Sequence, residues 1–79
     1  VNELIGFVNG NNLRQKVLAL LASKGEMEGK RIAKILHIAS PSMEKTLGEL
    51  QEKELISEQE GKFVLTDTGE KVEKIVMSL

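Results

Sequence analysis

Cysteine is absent from this 79-residue chain. Disulfides, thiolate metal sites and cysteine nucleophiles are therefore excluded, and a reducing, cytoplasmic setting is the expected one. Tryptophan and tyrosine are absent too, and only two phenylalanines remain. This argues against stacking of single-stranded bases, which leans on aromatic platforms, and against an aromatic-rich ligand pocket. The single histidine, His37, has no second His or Cys to share a metal, so no metal ion or other cofactor is expected. No run approaches the roughly 18 apolar residues that span a membrane, and no signal peptide is visible. Paired carboxylates in a cleft, a Ser/His/Asp set and a phosphate-cradling loop are all missing, so no catalytic residue is assigned and an enzyme is not expected.

What remains is enough for one domain, spanning residues 1–79, with a modest core. Apolar residues make up 41%, an ordinary share for a globular chain. Net charge is −1 but unevenly spread. Val1–Met43 holds six of the eleven bases and three of the twelve acids. The stretch Gly29–Met43 contains Lys30, Arg31 and Lys34 and no acid.

Apolar spacing divides the chain into elements. Leu4, Ile5 and Val8 fit a short leading helix stopped by Gly10, or equally a partly ordered lead-in. Asn11 or Asn12 caps a clearer helix ending at Gly25, with Leu13, Val17, Leu20 and Leu21 on its inner face. A second helix starts near Glu28, with Ile32, Ala33 and Leu36 inward and Ile35 beside that face. A third runs over Ser40–Lys53, with Ser40 as N-cap and Pro41, the only proline, at the first helical position. Met43, Leu47 and Leu50 form its buried stripe, and Ser42, Lys45, Glu49 and Glu52 face away. The period then changes. Strands near Leu55–Glu58 and Phe63–Thr66, around a turn at Glu60-Gly61, make a hairpin. A last helix follows a cap at Thr66 or Asp67, with Val72, Ile75, Val76 and Leu79 at helical spacing. The fold class is mainly α with a small β-hairpin.

Two helices joined by a tight connection, with a hairpin directly behind the second, are the parts of a helix-turn-helix with a wing. "RIAKILHIASPSMEKTLGELQEKELI" followed by "FVLTDTG" resembles the winged helix-turn-helix domain of bacterial and archaeal transcriptional regulators, broadly of the MarR and ArsR kind. The pattern is carried by Ile32-Ala33, by Ile38 at the turn, and by Ser40 and Ser42 at the helix start. Leu47 and Leu50, Leu55-Ile56, and Leu65, Thr66 and Gly69 complete it. The likeness runs from about Leu13 to Val76. In two places the family often has glycine where this chain has His37 and Glu54. A left-handed backbone there tolerates His better than most residues and Glu at a cost of about 1 kcal/mol against Gly.

The resemblance implies binding of double-stranded DNA, with the third helix in the major groove and the wing, at about 57–63, beside a neighbouring minor groove. By it, Ser40, Ser42, Lys45 and Thr46 lie at the DNA-facing helix start. Lys30, Arg31 and Lys34 touch flanking phosphates, and Lys62 is the one base of the wing turn. Glu49, Glu52 and Glu54 lie toward the far end. Glu44 lies near the front, to accept from a cytosine amino group or to repel the backbone. A homodimer through the N- and C-terminal helices is expected, so that operator symmetry mirrors protein symmetry. The alternative reading is a winged-helix module that docks a protein and not DNA. The acidic second half favours it, and Ser40-Pro41 starts a helix whether or not DNA is near.

Overall fold

The structure, a computed structural model, describes residues 2–79; Val1, included in the single-domain reading, lies outside the described residues. Five helices and three strands follow one another as α1 (Asn2–Asn9), α2 (Asn12–Lys24), β1 (Met27–Glu28), α3 (Gly29–Leu36), α4 (Ser40–Glu52), β2 (Ile56–Gln59), β3 (Lys62–Leu65) and α5 (Asp67–Met77). The chain is mainly helical with a small antiparallel sheet, an arrangement compatible with a winged helix.

The helix boundaries follow from local chemistry. The Asn11 side chain accepts from the Arg14 N–H at 3.1 Å and so caps α2. Thr66 caps α5 in the same way, accepting from the Gly69 N–H at 2.9 Å. Entry into α4 differs from expectation. The cap residue is Ala39, Ser40 already lies inside the helix, and no side chain closes the first turn. Pro41 still falls where its missing N–H costs nothing.

The C-termini of α3 and α4 close with the same device. After α3, Ile38 N–H donates to the Ala33 carbonyl at 2.9 Å and His37 N–H to that of Lys34 at 3.3 Å. After α4, Leu55 N–H donates to the Leu50 carbonyl at 3.0 Å and Glu54 N–H to that of Gln51 at 2.9 Å. These are Schellman closures, whose hinge residue is left-handed and usually glycine. Here the hinges are His37, at φ 58°, and Glu54, at φ 59°. The two departures from the family pattern thus keep its backbone with costlier side chains.

The sheet has three strands in the order β1-β3-β2, not the two of a lone hairpin. Met27 faces Phe63 and Glu28 faces Lys62, so the segment between α2 and α3 covers the free edge of β3. Glu60 and Gly61, both at positive φ, make the two-residue turn between β2 and β3.

α2 lies at the centre and touches every other helix and β3. It buries Val17, Leu18 and Leu21, while Leu13 and Leu20 are only half-buried, so its inner face is turned toward Leu18 from the expected one. Around it close Val8, Ile32, the Met43/Leu47/Leu50 stripe, Leu55, Ile56, Phe63, Val72 and Val76. Two members of the expected α5 stripe stay outside: Ile75 is 38% and Leu79 75% exposed. Ile35, beside the inner face of α3, is 41% exposed.

A tight joint ties the end of α4 to the start of α5. Thr66 Oγ1 donates to the Glu54 carbonyl at 2.6 Å, and Thr66 N–H donates to that of Leu55 at 3.1 Å. Gly69 lies directly against the same loop, where a Cβ would overlap the Leu55 carbonyl oxygen. The Leu-Thr-x-x-Gly motif is therefore a packing requirement: the threonine bonds the loop and the glycine lets it approach.

Candidate nucleic-acid interface

α3 and α4 meet through His37, Ile38 and Ala39, which brings the start of α4 beside the basic surface of α3. Lys30, Arg31 and Lys34 are exposed on α3, and Ser40, Ser42 and Lys45 are exposed on the first turns of α4. No acid lies in the first turn of either helix. The start of α4 has no side-chain cap, so its free N–H groups point to solvent and, with the helix dipole, favour an anion.

Thr46 does not belong to this surface. It is 6% exposed and lies between Met43 and Leu50 on the inner side of α4. The spacing explains why, since it stands three residues after one core position and four before another.

α4 presents three longitudinal lines. Pro41, Lys45, Gly48 and Glu52, at i, i+4, i+7 and i+11, run along its outward side, and all are exposed. On one flank Ser40, Glu44 and Gln51 border a groove of about 390 Å³ between α4, α3 and the hairpin. Its floor is Ala33, Met43, Leu47 and Phe63, and Lys30, Glu58 and Gly61 stand on its rim. Glu44 therefore lines the side of the helix that faces the hairpin.

On the other flank Glu49 is turned back onto the body of the protein. Its carboxylate sits 3.1 Å from Arg14 Nη2. The Arg14 guanidinium lies 3.7 Å from the centroid of the Phe7 ring, and its Nη1 donates to the Phe7 carbonyl at 2.9 Å. One base and one acid are thereby removed from the set able to meet a partner. Sequence spacing carried no sign that α1 and α4 would converge on Arg14.

The hairpin tip is less basic than its one lysine suggests. Lys62 stands 3.8 Å from Glu26, with both side chains about half exposed, so this pair is weak. Glu58 and Glu60 stand exposed beside it. A second hollow, of about 430 Å³, lies away from α4 between α2, β3 and α5, with Leu21, Val64 and Leu65 inside and Glu26, Glu70 and Glu73 around it. Among the described residues no three His, Cys, Asp or Glu gather closely enough to hold a metal ion, and no helix is long and apolar enough to cross a membrane.

No protein-family model matches this sequence, and no curated protein is detectably similar to it.

Proposed function

We propose that the chain is a winged-helix domain that binds double-stranded DNA and serves transcriptional regulation, with α4 in the major groove. The observation that carries this reading is the front of α4. Its uncapped first turn, exposed Ser40, Ser42 and Lys45, and the neighbouring Lys30, Arg31 and Lys34 form one basic surface, with Glu44 as the acid that borders it on the groove side. Backbone N–H groups, hydroxyls and bases of this kind hold phosphates and set the register, while side chains further along the helix meet base edges. The reading assigns no catalysis to the chain.

The hairpin has a smaller part in this reading than the family likeness implies. With Glu58 and Glu60 at its tip and Lys62 close to Glu26, it lies beside the duplex without entering a minor groove. Ile75, Met77 and Leu79 are exposed at the C-terminal end, and α1 packs on α5. They suit a homodimer seam at that end, away from α4. Sedimentation equilibrium checks this: a dimer that Ile75→Glu dissociates is expected, and a wild-type monomer at all concentrations contradicts it.

The test of the DNA reading is duplex binding across a salt series. Four bases, Lys30, Arg31, Lys34 and Lys45, meeting phosphates give a log–log slope of about −3 to −4 per protomer. Reversing Lys30 and Arg31 to Glu lowers the affinity and flattens the slope. No binding at low salt, or binding with no salt slope, sinks the proposal. The second reading, a protein-docking module, is favoured by one observation, the acidic tip at Glu58 and Glu60. It predicts that the same reversals leave partner binding intact.

A further inference from the structure

Gly48 has no purpose inside the fold. It is the ninth of thirteen residues in α4, its φ is not in the left-handed region, and it is exposed. A Cβ built on it meets nothing within 4 Å. Glycine is among the poorest helix formers, so this position weakens α4 with no internal return. Its counterparts have reasons: Gly61 sits at φ 81° in the hairpin turn, and Gly69 lies against Leu55. Gly6 in α1 also has open space, but no base stands anywhere on that helix.

The place of Gly48 on α4 supplies a reason. It lies mid-way along the outward line, one turn beyond Lys45 and one turn before Glu52. Neighbouring Glu49 is held away by Arg14. The outward side of α4 therefore carries a notch where backbone lies open to whatever covers the helix. We propose that Gly48 is the point of closest approach between α4 and the floor of a DNA major groove, and that its missing side chain sets how deeply the helix seats. The proposal rests on the DNA-binding reading. Duplex is favoured as the occupant because the line begins at Pro41 and Lys45, between the hydroxyls of Ser40 and Ser42 and beside the exposed bases Lys30, Arg31 and Lys34 of α3. The competing occupant is a second copy crossing at Gly48 in antiparallel sense, which would set Lys45 against Glu52 of the other copy.

The experiment compares the wild type with Gly48→Ala and Gly48→Gln. Thermal unfolding, sedimentation and affinity for the tightest duplex recovered from a random-sequence pool are measured on each. Gly48→Ala is expected to melt about 4–8 °C higher, because alanine favours the helix. It is also expected to bind duplex about tenfold more weakly, and Gly48→Gln more weakly still. The salt slope stays unchanged, since no phosphate contact is lost. Higher stability with unchanged affinity overturns the role of Gly48 and leaves the DNA reading standing. A wild type that binds no duplex at low salt removes both. A wild-type dimer that Gly48→Ala dissociates overturns the proposal in favour of contact between copies.

Discussion

Among the described residues, three other than glycine hold a left-handed backbone: His37, Glu54 and Glu60. Each pays a conformational cost that glycine or asparagine would reduce. Glu54 is the cleanest case, because its side chain is exposed and its turn is already closed by backbone bonds. Glu54→Gly is expected to raise stability by about 1 kcal/mol, read as a higher urea midpoint at unchanged m. An unchanged or lower midpoint contradicts it. Gly69→Ala is expected to do the opposite. With the Leu55 carbonyl in the way, the α4–α5 joint must shift, at a cost of about 1–3 kcal/mol. The sequence showed both hinges as departures from a pattern that prefers glycine, so their strain was readable from the resemblance. The position of Ser40 was not, because a helix can start one residue earlier or later on the same Ser-Pro pair. Thr46 was readable and misread: its spacing from Met43 and Leu50 already put it inside.

At the scale of elements, periodicity located α2 to α5, whose apolar residues recur at three- and four-residue spacing, and left the short α1, which buries only Val8, open between a helix and a lead-in. It could not reveal β1. Two residues carry no period, and Met27–Glu28 is a strand only because the edge of β3 lies next to it. Nor could it reveal that α1, α2 and α4 are joined by one side chain. Arg14 stacks on Phe7, donates to the Phe7 carbonyl and meets Glu49. The stacking contact is the shielded one, whereas the Glu49 carboxylate is a third exposed and screened by water. A double-mutant cycle is therefore expected to give a larger coupling for Arg14 with Phe7, about 1 kcal/mol, than for Arg14 with Glu49. Equal couplings, or the reverse order, contradict this arrangement.

Across the whole molecule the charges separate into faces. The net charge of −1 hides a gathering of Lys30, Arg31, Lys34 and Lys45 on α3 and the front of α4, while Glu58 and Glu60 occupy the hairpin tip. Counted as a segment, α4 looks wrong for DNA, with Glu44, Glu49 and Glu52 against Lys45 and no basic residue in its last turn. Placed in three dimensions those acids part company: Glu49 pairs with Arg14, Glu44 borders the groove toward the hairpin, and Glu52 lies at the rear. The candidate surface was legible as a set of bases near a helix start; its edges depended on where α4 turns each acid. The most direct measurement is an NMR titration of the chain with duplex DNA. The account predicts shifts concentrated on Lys30–Lys45 and along the outward line to Gly48, with little change at the hairpin tip. Shifts confined to the hairpin or to α1 and α5, or no shifts at low salt, would contradict it.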